Sequence, residues 1–434
     1  MPIQASRGEI NGMHIVHVVQ LYHPVASGSV RYFVEIGKRL VADGHRVTVL
    51  TTTAHDLESL WQADKRTFAP GYECHEGCDV YRFPIMRISD MPLVYPVLRR
   101  LLVEAGRIGL PLSLLRWLAV LTPQAPELTA WVAAHAADID VIHMTNVTLD
   151  GLLHPVMDIA KAQQIPVITT PFVHLGDAQD PNFVRYYSMP QQLDLLNQSR
   201  DVITMTGREA RFLQSRGVTQ PRFHVVGAGV TPAEVTGGDG VVFRARHAIT
   251  GPIVLQVGAM ARDKGTIATV HAMQQLWAAG SAATLVLIGA PLAHFQEFYD
   301  QLPATTTVHI RILAYASDAE RRDAYAAAQL LVLPSRTDSF GIVFLEAWCN
   351  QLPVIGADAG GIPDLVHAGH DGLLVPFADI DALAHAIQRL LTNPDLAHQF
   401  GAAGYANVHA HYTWAHIYAS VAPIYQAAEL SDAD

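Results

Sequence analysis

Three side chains in the second half of the chain have the types and spacing to hold a phosphorylated ligand: Lys264, Asp338 and Glu346. Leu331 to Pro334 is a short apolar run of the kind a buried parallel strand shows, and Pro334 to Ser339 predicts a loop. Gly341 lets the backbone come close to whatever sits above it. From Ile342 the pattern turns helical, with Val343, Leu345, Ala347 and Trp348 suited to a packed face. Such a unit aims the free N–H groups of the first helical turn, here at Ile342 and Val343, at an anion, and phosphate is the usual guest. Asp338 lies just before this helix, and Glu346 one turn into it, about 6 Å beyond Ile342 at ~1.5 Å per residue. That offset suits a diphosphate at the helix end, a sugar beside Asp338 and a ribose diol beside Glu346. Lys264 lies in a second unit of the same kind, the strand Ile253 to Val257 followed by GAMARDKGT. Plainer roles exist for each: a helix cap for Asp338, a solvated surface position for Glu346 and Lys264.

The longer string is more specific. DSFGIVFLE, Asp338 to Glu346, resembles the D/E-x-F-G-x-x-x-x-E signature of the family-4 glycosyltransferases, with Phe340 and Gly341 in place. Pro353 to Ile355, Gly360 to Asp364 (GGIPD) and Asp371 to Pro376 (DGLLVP) match segments that follow it in that family. The resemblance implies the GT-B fold, in which two doubly wound Rossmann-like domains face a central cleft. It also implies a nucleotide-sugar donor, UDP- or GDP-linked, with no other cofactor and no metal. GAMARDKGT resembles the family's G-R-L-x-x-x-K-G, whose Arg and Lys clamp the diphosphate. Lys264 and Gly265 fit, but Ala259 stands where the Arg belongs, and Arg262 is the nearby candidate to replace it. PFVHLGD places His174 where the family histidine faces the donor sugar, as a hydrogen-bond donor to a hydroxyl. YHPVASGSVRY resembles the P-x-x-G-G loop over the donor phosphates, with Gly28 the residue expected to matter. FHVVGAGVT, Phe223 to Thr231, resembles the stretch that ends the first domain, with Ala228 replacing an Asn. Asp338 is one methylene shorter than the usual Glu, so sugar preference does not carry over.

These groups need a frame that turns several strands toward one edge. His14 to Val19 and Val47 to Leu50 predict buried strands, with apolar residues at helical spacing from Val30 to Asp43 between them, a parallel βαβ opening. Val141 to Met144, Val167 to Thr170 and Asp201 to Met205 supply further strands, as do Thr284 to Gly289 and His309 to Leu313. Asp381 to Leu391 and Tyr405 to Ala428 read as helices. The expected organisation is a first, acceptor-side domain over 1–231, a Gly-rich linker over 232–250 and a nucleotide-sugar-binding domain over 251–404. The last helical stretch, about 405–428, is expected to pack back on the first domain. A chain of 434 residues is long enough for two such cores.

Bulk properties narrow the partners. A net charge of −11 argues against nucleic-acid binding. Residues 1–12 are polar with no apolar run behind them, so no secretory signal is expected, and three cysteines make no disulfide framework. A cytoplasmic protein follows. Cys74, His75 and Cys78 in CHEGC lack the spacing of a zinc knuckle, and the Asp138–Asp140 pair in DID precedes a strand, where acids are ordinary. The segment 82–123 stands apart, with six arginines against Asp90 and Glu104 among leucines, prolines and Trp117. It is either a packed helical insertion with solvated arginines or a surface that meets the inner face of an anionic membrane or a lipid-linked acceptor. The expected reaction is transfer of a sugar to an acceptor hydroxyl with retention of configuration. Lys264 and the amides of Ile342 and Val343 would stabilise the leaving diphosphate. Two alternatives stand beside it: a sugar-nucleotide epimerase or hydrolase, and a protein that holds a nucleotide sugar without turnover.

Overall fold

The computed structural model describes residues 12–429 apart from 92, 178–179 and 181–182. The polar N-terminus that bears on a secretory signal therefore lies almost wholly outside the described residues. Eight strands make the first sheet: β1 (His14–Val18), β2 (Arg46–Thr52), β3 (Gly71–His75), β4 (Cys78–Phe83), β5 (Val141–Thr145), β6 (Val167–Thr170), β7 (Asp201–Thr204) and β8 (Arg222–Val225). Their order is β3-β4-β2-β1-β5-β6-β7-β8, parallel except for the β3–β4 hairpin at one edge. Six strands make the second: β9 (Ile253–Val257), β10 (Thr284–Ile288), β11 (Ile310–Leu313), β12 (Leu330–Leu333), β13 (Val354–Ala357) and β14 (Gly372–Val375), ordered β11-β10-β9-β12-β13-β14 and all parallel.

Strands β1, β5, β6, β7, β9, β10, β12 and β13 are buried along their whole length. Continuous Val/Ile/Leu runs do this because helices cover both faces of each sheet. In both sheets the order reverses at the first strand. Ile15 pairs with Val47 of β2 on one side and with Val141 of β5 on the other. Leu255 likewise pairs with Val286 of β10 and Leu331 of β12. A crevice opens at such a reversal, beyond the carboxyl ends of the strands. The loops carrying Gly28 and Lys264 leave from those two points.

The chain passes between the two halves twice, and the passes lie side by side. Val230 N–H donates to the Tyr412 carbonyl at 2.9 Å, and Trp414 N–H to the Val230 carbonyl at 3.2 Å. A β-carbon on Gly229 would sit 2.7 Å from the Trp414 nitrogen, so only glycine admits this approach. The pairing also explains why the final stretch is two helices, Pro394–His411 and Trp414–Glu429, broken at Tyr412 and Thr413. The second of them packs on the first sheet, where the Tyr425 hydroxyl bonds His143 Nδ1 at 2.5 Å and His17 Nε2 at 3.1 Å. The 232–250 stretch folds into the short helices Pro232–Val235 and Gly240–Arg246, burying Val235, Phe243 and Ile249.

The insertion after β4 forms the helices Val94–Arg107 and Leu112–Ala119. Five of its arginines have partners: Arg82 with Glu73, Arg87 with the Leu60 carbonyl, Arg99 with the Tyr186 carbonyl, Arg107 with Glu104 and Arg116 with Asp158. Yet the same two helices and the residues flanking them leave Leu93, Val97, Leu101, Ile108, Leu114 and Trp117 exposed. Among the described residues, no helix is long and apolar enough to cross a membrane.

Candidate active site

The loops after β9 and β12 are stitched together. Arg336 N–H donates to the Asp263 carbonyl at 3.0 Å and the Ser335 hydroxyl to the same oxygen at 3.3 Å. Each loop ends on a glycine in the left-handed region, Gly265 at φ 72° and Gly341 at φ 98°, and each glycine starts a helix, Thr266–Ala278 or Ile342–Cys349. A β-carbon at Gly265 would lie 2.4 Å from the Pro334 carbonyl oxygen, and one at Gly341 2.6 Å from the Phe344 ring. Backbone conformation and close packing thus both demand glycine. The amides of Ile342 and Val343 belong to a first helical turn, so they have no partner within their own helix and carry its positive end.

Lys264 Nζ donates to Asp338 Oδ1 at 2.9 Å. Burial pushes the Asp338 carboxyl up, but the Lys264 charge and the Ser335 hydroxyl outweigh this and hold it below the ordinary 3.8. Asp338 is therefore an ionised partner of Lys264 and not the helix cap, a position taken by Gly341. Its carbonyl accepts the Gly361 N–H at 2.9 Å. A β-carbon on Gly361 would fall 2.0 Å from the Ser339 carbonyl, which accounts for the glycine pair in GGIPD.

The first half supplies the opposite wall. A β-carbon on Gly28 would lie 3.5 Å from Ile342 Cδ1, so the loop after β1 meets the start of the Ile342 helix. His174, on the loop after β6, is bonded through Nδ1 to the Thr337 carbonyl. Burial, then the Lys264 charge, bring its pKa down to about 4. A neutral ring has one N–H, and a carbonyl only accepts, so Nδ1 carries the hydrogen and Nε2 is left as an acceptor. The expectation that His174 donates to a hydroxyl is reversed in sense. Beside it, the Gly176 carbonyl accepts the Gly360 N–H at 2.7 Å.

Other expected site residues are placed differently. Glu346 is half-buried, and its Oε2 accepts the Tyr325 hydroxyl at 2.7 Å. Burial and the Glu346 charge push that hydroxyl well above its ordinary pKa. The Phe340 ring is buried and turned toward the crossover, 5.6 Å from the Tyr412 ring and close to Gly227. Only its backbone lines the loop. Arg262 is exposed, and its N–H bonds His294 Nε2 at 2.8 Å. Cys74–Cys78 is the tip of the β3–β4 hairpin, with Glu76 and Gly77 at positive φ, and Asp140 accepts the His14 N–H at 2.6 Å; both lie at the amino-terminal end of the parallel strands, away from the cleft. Among the described residues, no cluster of three or more His, Cys, Asp or Glu could hold a metal ion.

Two residues were not foreseen. Arg336 bonds Asp263 at 2.8 Å and reaches Asp177 at 3.3 Å and Asp180 at 3.5 Å on the His174 loop, with Phe377 under its guanidinium. It thereby bridges the two halves beside the Lys264 loop. Tyr325 is the other, 21 residues from the carboxylate it holds. Arg336 lies within LPSRTD, two positions before Asp338, which was the one available signal; Tyr325 left none.

Comparison with known proteins decides the family. The model for the glycosyl transferase 4-like domain matches residues 27–229, and that for glycosyl transferases group 1 matches 242–407. The chain belongs to this glycosyltransferase family. It is similar to the alpha-maltose-1-phosphate synthase of Mycolicibacterium smegmatis, 30% identical over 47% of this chain and 57% of that enzyme. The chain spans about half the length of the curated relatives it matches. Among solved structures it resembles a sucrose-phosphate synthase from Thermosynechococcus elongatus, at a TM-score of 0.71 and 21% identity, covering 96% of this chain and 98% of that one. It also resembles Anabaena HepE in complex with UDP-glucose, at 0.69 and 18%, covering 96% and 100%. The two facing Rossmann-like units are thus the GT-B fold.

Proposed function

We propose that the chain transfers a sugar from a nucleotide-diphosphate donor to an acceptor hydroxyl. One observation carries this: two glycine-started helices and Lys264 converge with Asp338 on the loop that His174 touches from the opposite half. The positive helix end and the Lys264 ammonium stabilise the departing diphosphate, the task a metal performs elsewhere. Donor phosphates displace Asp338 from Lys264, which frees the carboxylate for sugar hydroxyls. His174 Nε2 accepts from the same sugar. Glu346, held by Tyr325, takes the ribose diol. Arg336, paired with Asp263, Asp177 and Asp180, supplies the second cation in place of Ala259 by giving up a carboxylate to the donor phosphates, and the exposed Arg262 contributes less. Attack comes from the face the diphosphate leaves, which takes up the acceptor's proton, so configuration is retained. A neighbour of the same fold that holds UDP-glucose supports a uridine donor, and a similar mannosyltransferase described as GDP-mannose-dependent keeps guanosine open.

Calorimetric titration with UDP, GDP and ADP in EDTA is the test. Tight binding of one is expected, weakened by Arg336→Ala more than by Arg262→Ala. Binding of none overturns the donor site. Consumption of the nucleotide sugar without an acceptor would instead mark a hydrolase or epimerase.

The exposed apolar residues of 93–117 favour an acceptor presented at a membrane surface. Trp117 and Leu101 are 63% and 61% exposed, with Arg100 and Arg107 exposed among them, as expected of a face lying on anionic headgroups. Flotation with phosphatidylglycerol vesicles is expected to carry the protein, and Leu101→Ser with Trp117→Ser to leave it behind. Equal flotation of both proteins would sink this reading.

A further inference from the structure

Glu209 is a carboxylate that the transfer mechanism does not use, yet it is 1% exposed and lies behind the His174 loop. Its Oε1 accepts the Val173 N–H at 2.7 Å and its Oε2 the Met205 N–H at 2.8 Å. Val173 is the residue before His174, and Met205 directly follows the neighbouring strand β7. One carboxylate thus ties the histidine's backbone to the sheet. In sequence, Thr206 to Glu209 is a T-x-x-E capping box, and the Thr206 hydroxyl does accept the Glu209 N–H at 3.2 Å. In such a box the glutamate returns to the cap residue. Here it reaches past it and spans to another loop.

We propose that Glu209 is a positioning residue for sugar transfer, whose ionised carboxylate holds the Val173–His174 backbone in register with the donor loop of the other half. The proposal rests on the function put forward above. Two acceptors meeting two amides is a geometry the ionised form satisfies best. A protonated carboxyl turns one oxygen into an O–H and a poorer acceptor, and one of the two ties is weakened. Burial raises the Glu209 pKa to about 7 against the two amides that lower it, so this change falls near neutrality. Other charges around it are engaged elsewhere. Arg208 and Arg211 on the same helix face Asp364 at 3.2 and 3.8 Å, and Arg208 also faces Asp358. Asp201 on β7 is taken by Arg222 and His224, His174 by Thr337 and Asp177 by Arg336. His174 itself, with a pKa of about 4, stays neutral through this range.

The test has an arm that needs no turnover. Hydrogen exchange of the 171–176 backbone, corrected for intrinsic rates, is expected to lose protection as pH falls from 8 to 6. Glu209→Gln is expected to lack that protection at every pH. In transfer assays, kcat of the wild type is expected to drop about tenfold over the same range, since about one carboxylate in ten is ionised one unit below its pKa. Nucleotide affinity should hold constant. Glu209→Gln should show the low kcat throughout with no acid limb, whereas Thr206→Ala, which removes only the helix cap, should lower Tm and keep the limb. Exchange that is independent of pH in the wild type overturns the proposal, as does a limb that survives in Glu209→Gln or vanishes in Thr206→Ala. A wild type that neither binds nucleotide nor transfers sugar overturns the functional reading alone, and the exchange profile still decides the role of Glu209.

Discussion

The two walls of the cleft are built on different principles. The wall made by the second half repeats one local unit: two strands, two short loops and two glycine-started helices, with Lys264 within a few residues of one helix start and Asp338 and the Ile342 and Val343 amides at the other. The wall made by the first half is assembled from a distance. His174 depends on Thr337, 163 residues away, and on the amide tie from Glu209, while the insertion at 94–119 brings in a surface of its own. The groups proposed to recognise the donor's diphosphate and ribose sit on strand–loop–helix units. The wall proposed to meet the acceptor is held together by contacts between residues far apart in the chain.

Breaking the local wall should have the largest effect. Lys264→Ala is expected to slow transfer by about 10²–10³-fold, the scale for losing one preorganised charge at a leaving group. Single-turnover assays at saturating donor would show it, and normal turnover would mean that Arg336 carries the charge alone. Next comes the ribose end. Glu346→Ala is expected to weaken nucleotide binding by about tenfold or more, as for a hydrogen bond to a charged group, and Tyr325→Phe by about threefold. Calorimetry measures both, and equal effects would place Tyr325 in direct contact with ligand.

Acid sharpens the contrast with the smallest effect. His17, at about 3, and His143 are held below the ordinary 6.5 by burial in the first sheet, and His14 is lowered for the same first reason. Groups depressed in the folded state contribute stability above pH 6.5 that is lost as pH falls toward their folded values, because the unfolded chain takes protons they cannot. Glu209, raised to about 7, acts in the opposite sense between 7 and the ordinary 4.5, but it is one group against three. Hydrogen exchange at pH 4.5 should therefore find the first sheet opening before the second. Equal loss of protection in both sheets would show that these histidines do not set the acid limit.

The strands, the parallel βαβ opening and the two strand–loop–helix units that carry Lys264 and Asp338 were legible in the sequence, since apolar runs, glycines and helix starts are local signals. The break at Tyr412 was not, because it is made by pairing with Val230 across the molecule. Nor was the direction of Phe340, whose ring fills the crossover although its motif belongs to the donor loop. The hairpin at Cys74–Cys78 had a signal in Gly77, which is suited to positive φ, whereas Glu76 beside it is not a residue that favours that region.

What the sequence determined by itself is the chemistry available at the cleft: a lysine, two carboxylates, a histidine and two exposed helix starts, because residue type and short-range spacing suffice for those. The tertiary structure alone decided how they are used. It paired Lys264 with Asp338, made His174 an acceptor, set Arg336 between the halves and put Tyr325 and Glu209 behind the groups they hold. The physical reason is that hydrogen-bond sense and ionisation depend on burial and on which partner arrives, and those partners come from strands far apart in the chain.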